Sequence, residues 1–378
     1  MIIQKRERAM NNRSLDEYYM HMALSLAMRG CGKVSPNPMV GCVLVSDQQI
    51  LSKGYHRFHG GPHAEIEAIN SSPVPVNGAT LYVNLEPCSH QGKTPPCAPR
   101  IVAEGIKRVV VGMTDPNPLV SGRGLDIMKS GGIRVTEGIL EEQCKWQNRG
   151  FIRRVTISRP WVTLKAAIGI DGCLALRGGE SKWITSLPSR CKAHLLRSQH
   201  DALLVGMGTV RYDDPLLNVR FTEGPSPLKV LLTSGKDLTW GSRLFMQGQT
   251  LIFMPLGDLG SPRHPIITEG TEIIEMPMKK EHSALLDISE VLTILAERGI
   301  NSLMVEGGST IASQLLVNNL VDEVSIFIAP KLMGRGIRFT ENMSFHLMKD
   351  TITLRSVRIN RIANDLWLEG RPACSPDL

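Results

Sequence analysis

The sequence predicts two successive α/β domains, each a layered sheet covered by helices. Three observations support this fold class. The chain has 378 residues, which suits two domains of ordinary size. Short apolar segments alternate with helix-forming segments in both halves, as they do when helices cover a sheet. Hydrophobic residues make up 42% of the chain and charged residues 21%, so disorder is not indicated, and 35 glycines suit tight turns.

The first half begins with a polar and charged extension, which we assign to residues 1–14. Ser14 is followed three residues later by Glu17, the form of a capping box, and this predicts the start of a helix. Apolar runs further along predict strands, and helix-forming residues at helical spacing predict helices. The predicted strands are 40–45, 49–54, 80–85 and 107–113, and the predicted helices begin near 63 and cover about 97–105.

The boundary between the domains is predicted at 141–159, a polar and charged region without the period-two pattern of a strand. We therefore expect a first domain over 15–147, a linker over 148–159 and a second domain over 160–372. Loops are expected to dominate 208–226. In the second half, strands are predicted from Pro160 and at 202–206, 228–233, 250–254, 302–305 and 323–328, with helices at 187–200 and 286–299.

The net charge of +7 suits a protein that binds either nucleic acid or small phosphorylated ligands. Nucleic acid is disfavoured, because no dense stripe of Lys and Arg and no basic-aromatic interleaving is found. The KRER run at 5–8 is interpreted as a solvated tail. The sequence therefore favours small phosphorylated molecules as partners.

The eight cysteines suit either disulfides or buried and metal-binding thiols. The N-terminus has no apolar signal sequence, and no run approaches the ~18 apolar residues of a membrane span. We therefore expect a cytoplasmic protein without a membrane partner, in which the thiols remain reduced.

The strongest chemical pattern is His63-Ala-Glu65, followed by Cys88 and Cys97. Zinc prefers nitrogen and thiolate ligands in a tetrahedral shell, so His63, Cys88 and Cys97 predict three ligands with a fourth position open for water. Such an open position is typical of a catalytic site. Glu65 is predicted to be a proton shuttle, because a carboxylate at the start of the helix reaches the water without binding the metal.

Each part of this pattern is common alone, and a lone His-x-Glu or a lone cysteine pair belongs to the core more often than to a site. In combination they have the form of the zinc deaminase signature. Eight residues separate the cysteines here, where that signature usually has two. Two alternatives stay open at this point: a deaminase that edits nucleic acid, and a zinc-stabilised binding module without activity.

Two glycine clusters in the second half, 205–210 and 305–311, each follow a predicted strand and open a possible helix. Glycine lets backbone amides approach a phosphate at a helix N-terminus. Neither cluster is the full dinucleotide-binding fingerprint, and a tight strand-to-helix turn is the alternative interpretation.

Asn37-Pro38, His63-Ala-Glu65 and the segment Glu86-Pro-Cys-Ser-His-Gln-Gly-Lys-Thr-Pro-Pro-Cys97 closely resemble the family of bifunctional riboflavin-biosynthesis deaminase/reductases, as do the segments 115–118 and 121–124. The resemblance implies a cytidine-deaminase-like three-layer α/β/α domain followed by a dihydrofolate-reductase-like α/β domain. It implies that Asn37 and the 115–124 loop contact substrate, and it suggests His90 and Lys93 as phosphate ligands.

The activity implied by this resemblance has two steps. Zinc-dependent hydrolysis removes an amino group from 2,5-diamino-6-ribosylamino-4(3H)-pyrimidinone 5′-phosphate, and NADPH then reduces the ribosyl group to give 5-amino-6-ribitylaminouracil 5′-phosphate. The implied cofactors are Zn²⁺ and NADPH, the partners are phosphorylated aminopyrimidines, and a homo-oligomer through the reductase domain is possible.

Blocks such as 165–172, 179–185 and 213–215 are also similar to the reductase half of that family. Carried over by position, the resemblance implies that NADPH contacts Ala167, Trp183, Thr209, Asp213, Ser234 and Gly308, and that substrate contacts Ser181, Arg197, Leu217, Arg220 and Glu306. The guanidinium groups of Arg197 and Arg220 can clamp a phosphate.

Three other positions in the second half remain open from sequence. Asp171 is a candidate proton donor or orienting group, although Asp-Gly is also a common turn. Gly169 stands where relatives often have Ser, and Thr233 where many have Asp. These departures leave open how efficient the reductase is.

Overall fold

The structure is a computed structural model that describes residues 12–92, 94–118, 120–235, 238, 241–256, 270–277 and 286–375. The chain divides near residue 156 into two compact units, and this point falls inside the region predicted as a linker. Within the described ranges, no helix is both long and apolar enough to cross a membrane.

The first unit contains one five-stranded sheet in the order β2-β1-β3-β4-β5. β1 is antiparallel to β2 and β3, whereas β3, β4 and β5 are parallel. The strands are β1 (Gly41–Ser46), β2 (Gln49–Tyr55), β3 (Thr80–Leu85), β4 (Arg108–Met113) and β5 (Arg134–Glu137). The helices are α1 (Asn12–Ala27), α2 (Ala64–Asn70), α3 (Cys97–Ala103), α4 (Arg123–Ser130), α5 (Glu141–Gln147) and α6 (Arg149–Ile157).

Helices cover both faces of this sheet, because its central strands are apolar on both sides. Leu44 and Val83 pack against α2, α3 and α4, whereas Val43 and Tyr82 pack against α1. Strands buried on both faces have nearly continuous apolar sequences, and this explains why they were predictable. The three-layer α/β/α arrangement agrees with the predicted deaminase-like fold.

Two predictions for the first unit need correction. The first helix begins at Asn12, inside the stretch assigned to the extension. Most of the predicted linker, 148–159, is helical, because α6 continues to Ile157. Its side chains at Ile152 and Arg153 are buried, and only tertiary contacts reveal that burial in so polar a segment.

The second unit contains a nine-stranded sheet in the order β11-β10-β9-β8-β12-β6-β13-β16-β15 and a small β14-β7 pair. The first seven strands of that order are parallel, and β16 and β15 form an antiparallel hairpin at one edge. The strands are β6 (Trp161–Gly169), β7 (Cys173–Ala175), β8 (Ala202–Gly206), β9 (Leu228–Leu232), β10 (Thr250–Pro255), β11 (Thr271–Met276), β12 (Ser302–Val305), β13 (Glu323–Ala329), β14 (Ile337–Arg338), β15 (Leu354–Ile362) and β16 (Asp365–Pro372).

Four helices cover the two faces of the large sheet: α7 (Leu187–Ser198), α8 (Met207–Asp213), α9 (Ile288–Glu297) and α10 (Ser309–Val317). Residues of α9 and α10 pack in one apolar cluster with Leu204 and Val305, and residues of α7 and α8 pack in another with Leu203 and Met304. The two glycine clusters do open helices, α8 and α10. As a result, part of the segment 208–226 is helical rather than loop.

Candidate active sites

The three predicted metal ligands of the first unit lie at the ends of three elements. His63 is the residue before α2, Cys88 follows β3, and Cys97 is the first residue of α3. The amide of Cys97 donates to Cys88 Sγ over 3.3 Å, and the amide of Ala98 donates to the Cys88 carbonyl over 3.0 Å. These bonds join the strand end to the helix start, so that both thiols face His63.

Gly54 of β2 allows α2 to carry His63 against the sheet. A Cβ atom at this position would overlap the Ala64 carbonyl oxygen and the Ala68 amide nitrogen. Any larger residue would therefore push α2, and His63 with it, away from the strands.

The distances between the ligand atoms fit zinc. His63 Nδ1 lies 3.4 Å from Cys88 Sγ and 3.3 Å from Cys97 Sγ. Bonds of about 2.0–2.1 Å to nitrogen and about 2.3 Å to sulfur at the tetrahedral angle would separate such atoms by about 3.6 Å. In the described part of the chain, these side chains form the one group of at least three His, Cys, Asp or Glu with ligand atoms within 4.8 Å of one another.

The electrostatics of the cluster also favour metal binding. A hydrogen bond between the thiols lowers the pKa of Cys88, with His63 adding to the effect, and raises the pKa of Cys97. A thiolate is therefore already favoured at Cys88, and metals bind the thiolate form. On the far side of the imidazole, Thr94 Oγ1 lies 3.3 Å from His63 Nε2 and orients the ring.

Glu65 lies beside the cluster without belonging to it. Its side chain is only 3% exposed, in the first turn of α2. Burial, together with the charge of Cys88, raises the pKa of its carboxyl to about 7. Glu65, His63 and Cys88 all line one cavity of about 380 Å³, a size that suits a small ligand.

Asn37, predicted to contact substrate, lies in the same cavity with a fixed amide orientation. The Pro62 carbonyl can only accept, so His56 carries its proton on Nδ1, which lies 2.9 Å away. His56 Nε2 must then accept from Asn37 Nδ2 over 3.0 Å. Burial lowers the pKa of His56, which favours this neutral form.

Other lining residues were partly anticipated. His90 and the loop residues Asp115 and Asn117 line the cavity, whereas Lys93 lies outside the described residues. Sequence reasoning missed Phe151 and Arg154 of α6, which also line it, because that segment was interpreted as a linker. The signal that could have found this helix is the i, i+4 spacing of the apolar residues Phe151 and Val155, both of which line the cavity.

In the second unit, four predicted cofactor contacts lie at or just beyond the carboxyl ends of four adjacent parallel strands. Across the order β9-β8-β12-β6, Ser234 follows β9, Thr209 lies just after β8, Gly308 follows β12, and Ala167 lies near the end of β6. The carboxyl ends of parallel strands meet at one edge, which is where ligands bind in open α/β sheets. At Gly308 a Cβ would meet nothing within 4 Å, so open space faces its backbone before α10.

Two predicted substrate residues form a partly buried ion pair at this edge. Arg197 Nε and Nη2 bind the two carboxylate oxygens of Glu306 at 2.7 and 2.8 Å, and Lys165 Nζ lies 3.7 Å from the same carboxylate. Although burial opposes it, the charges of Arg197 and Lys165 hold the pKa of Glu306 well below its usual range. Arg197 Nη1 also donates to the Asn218 carbonyl, so three of the five N–H groups of its guanidinium bond within the protein.

The remaining predicted residues are more dispersed. Ser181 Oγ donates to Asp213 Oδ1 over 2.7 Å, which joins a predicted substrate contact to a predicted cofactor contact. Trp183 is 54% exposed, with the Arg190 guanidinium 4.0 Å from its ring centre, so it is not a core aromatic. Arg220 is exposed, whereas the Leu217 side chain packs in the core, which leaves only its backbone for a ligand.

The three open positions now have local explanations. Asp171 accepts from the amides of Met333 and Gly334 at 2.5 and 2.9 Å, so it orients that loop. A Cβ at Gly169 would lie 2.8 Å from Asp171 Oδ1, which leaves no room for a side chain. Thr233 Oγ1 accepts from the Gly235 amide and closes the turn that presents Ser234.

The fold and the two sites define the class of protein: a deaminase domain with a metal-binding cluster, joined to a reductase domain. The family model for the cytidine and deoxycytidylate deaminase zinc-binding region matches residues 13–113, and the model for the RibD C-terminal domain matches residues 160–368.

Relatives match nearly the whole chain. The riboflavin biosynthesis protein RibD of Bacillus amyloliquefaciens is 38% identical over 96% of this chain and 98% of its own, and that of Escherichia coli is 40% identical over 85% and 90%. A crystal form of Acinetobacter baumannii RibD has a TM-score of 0.87 at 33% identity, covering 96% of this chain and 99% of that one.

A deaminase/reductase structure from Thermotoga maritima has a TM-score of 0.84 at 38% identity, with the same coverage. The chain belongs to the RibD family of riboflavin biosynthesis. It is a bifunctional enzyme of that pathway, and the predicted family and fold class are confirmed.

Proposed function

We propose that the first unit hydrolytically deaminates 2,5-diamino-6-ribosylamino-4(3H)-pyrimidinone 5′-phosphate and that the second unit reduces the product with NADPH to 5-amino-6-ribitylaminouracil 5′-phosphate. The observation that carries this proposal is the cluster of His63, Cys88 and Cys97 beside buried Glu65 in one cavity. The Thermotoga relative, named a diaminohydroxyphosphoribosylaminopyrimidine deaminase and 5-amino-6-(5-phosphoribosylamino)uracil reductase, supports the choice of substrate. The deaminase domain predicted over 15–147 extends through α6, because Phe151 and Arg154 line its cavity, and we assign the reductase domain to 160–372.

In the deaminase, His63, Cys88 and Cys97 would hold Zn²⁺ through one nitrogen and two sulfurs. Zinc at this position supplies a Lewis acid that makes a water reactive near neutral pH. Glu65 would accept one proton from the water and donate it to the ring nitrogen as the oxygen adds to the ring. It would then accept a second proton, from the hydroxyl of the hydrated ring, and donate it to the departing amine, which leaves as ammonia. Its position, lining the cavity but outside the ligand group, supports this role.

The same cavity would recognise the substrate through the amide group of Asn37 and the positive charge of Arg154. Asn37 presents a fixed amide to the pyrimidine, because His56 accepts one of its hydrogens. Arg154 is the one Lys or Arg among the described residues that line the cavity, so we assign the 5′-phosphate to it, with His90 nearby on the lining.

In the reductase, NADPH would supply the hydride for C1′ of the ring-opened sugar. Ala167, Thr209, Ser234 and Gly308 would bind it along the sheet edge, together with Trp183 and Asp213. The exposed hydroxyl of Ser234 supports a 2′-phosphate and hence NADPH over NADH. The proposed substrate contacts are Ser181, Arg197, the Leu217 backbone, Arg220 and Glu306.

We further infer that the enzyme works in the cytoplasm and that two copies associate through the reductase domain. No disulfide joins any of the eight cysteines, and this suits a reducing compartment. The edge strand β15 is solvent-exposed along most of its length, and the backbone groups on the outer side of an edge strand can pair with a strand of another chain.

A single assay tests both activities on the full chain. Incubation with the diaminopyrimidine substrate should release ammonia without NADPH, and NADPH should be oxidised only after ammonia appears. Glu65→Gln should retain zinc and lose deamination by about 10²–10⁴-fold, the usual contribution of a general acid–base, while reduction of the deaminated intermediate continues. A zinc-loaded Glu65→Gln enzyme that deaminates at the normal rate would contradict the shuttle assignment.

A further inference from the structure

Glu86 is a buried carboxylate that neither the metal cluster nor the proton transfer uses. It follows β3 directly, two residues before Cys88, and its side chain is 5% exposed. Its own amide donates to the Met113 carbonyl at the end of the adjacent parallel strand β4. Glu86 therefore lies where the strand that leads to Cys88 meets the strand that leads into the next loop.

Three backbone amides of that loop donate to the Glu86 carboxylate. Oε2 accepts from Asp115 over 3.1 Å and from Gly122 over 3.0 Å, and Oε1 accepts from Gly124 over 2.9 Å. Hydrogen bonds to a charged acceptor are about twice as strong as neutral ones, and burial strengthens them further. These bonds hold both ends of the loop, at Asp115 and at the start of α4, on one side chain.

The loop held in this way forms part of the wall of the catalytic cavity. Asp115, Asn117 and Val120 line the cavity together with His63 and Glu65. At Gly124 a Cβ would overlap the Pro87 carbonyl oxygen, so the start of α4 lies directly against the segment that carries Cys88. The loop thus has a fixed place relative to the metal ligands, and Glu86 maintains it.

We propose that Glu86 is a positioning residue for the deaminase: its carboxylate holds the loop segments Asp115–Pro118 and Val120–Arg123 in the conformation that binds the aminopyrimidine. Glu86 also lines the cavity, but both of its carboxylate oxygens accept hydrogen bonds from backbone amides of the loop, so we assign it the role of holding the loop. Losing the carboxylate should therefore weaken substrate binding without removing the metal or the proton shuttle. This inference rests on the proposed deaminase function.

The test is steady-state deamination by full-length Glu86→Gln. The amide has one acceptor oxygen and two N–H groups, so it cannot accept all three backbone hydrogens. We expect KM for the diaminopyrimidine phosphate to rise about 10- to 100-fold, on the scale of one or two lost charge-assisted hydrogen bonds. We expect kcat to change less than threefold, with zinc content and reductase activity as in the wild type. Glu142→Gln, an exposed change on α5, is the matched control and should have no effect.

Two further variants sharpen the result. Glu86→Asp keeps the charge but is one methylene shorter, so a smaller rise in KM is expected; a wild-type KM in this variant contradicts the proposal whatever Glu86→Gln does. Gly124→Ala, which displaces α4 from the Pro87 carbonyl, should reproduce the rise in KM with Glu86 intact.

The outcomes separate this inference from the proposed function. An unchanged KM in Glu86→Gln overturns the positioning role while the deaminase assignment stands. A fall in both zinc content and kcat in Glu86→Gln also overturns the positioning role, because Glu86 would then support the segment that carries Cys88 rather than the loop. If the wild-type enzyme itself releases no ammonia from the substrate, the proposed function fails first.

Discussion

Arg154 illustrates how one side chain sets the charge of a cavity. Three carboxylates, of Glu65, Glu86 and Asp115, line the deaminase cavity, and burial raises the pKa of Asp115. A phosphorylated ligand would be repelled by this wall without a nearby cation. Arg154 donates to the Pro36 carbonyl over 2.9 Å, which fixes its guanidinium at the cavity wall next to Asn37.

Arg154→Met should therefore weaken binding of phosphorylated substrate in particular. Losing a charge-assisted bond costs about 1.5–3 kcal/mol, or about 10- to 100-fold in KM. The dephosphorylated substrate should show little change, and Arg154→Lys should lie between wild type and Arg154→Met. Steady-state deamination of both substrates by each variant measures this. Equal losses on both substrates would exclude a phosphate contact, and Arg134→Met, a change at an exposed residue of β5, serves as the surface control.

At the scale of elements, the most regular segments were the most predictable. Strands such as β1 and β12 are apolar on both faces, so their sequences alone identified them. The hairpin β15-β16 and helices α5 and α6 were not predicted. β15 is exposed through most of its length, so it lacks the alternation of apolar and polar residues that identifies a half-buried strand. α6 buries Arg153, whereas helical periodicity places apolar residues at buried positions.

The close contact of α2 with β2 gives a prediction at this scale. Gly54→Ala should force the helix away from the strand, at a cost of about 1–3 kcal/mol, and should displace His63 from the two thiols. We expect lower zinc content in the purified protein, with reductase activity retained by the second unit. Metal analysis beside an activity assay measures both. Gly92→Ala, where a Cβ meets nothing within 4 Å, should keep its zinc; a Gly54→Ala protein with full zinc would contradict the role of this contact.

At the scale of the whole molecule, the two units have separate folds and separate sites, which suits two successive reactions on one substrate skeleton. The metal cluster and its cavity consist of residues before 156, and the ion pair of Arg197 and Glu306 belongs to the second unit. In a variant that loses one activity, the other activity therefore serves as an internal control for general damage to the protein.

Association through β15 is testable at this scale. Ile359 is 62% exposed on that edge strand, and Ile359→Lys should introduce charge repulsion between two copies that pair there. We expect light scattering to give a dimer or larger assembly for the wild type and a smaller species for the variant, at equal concentration. Val317→Lys, another exposed apolar position in the second unit, should leave the mass unchanged. A monomeric wild type would rule the association out.

The sequence by itself predicted the group of His63, Cys88 and Cys97 beside Glu65, which the structure brings together, and it predicted the two α/β domains. Local chemistry was sufficient for these, because a histidine and cysteines near apolar strand ends form a rare combination of residue types and spacing. Only the tertiary structure showed that Arg197 is committed to Glu306, 109 positions away, that Arg154 enters the cavity, and that Glu86 holds three loop amides. These contacts join segments that are far apart in the sequence and meet only in the folded chain. The periodicity of side chains within one segment carries no information about such contacts.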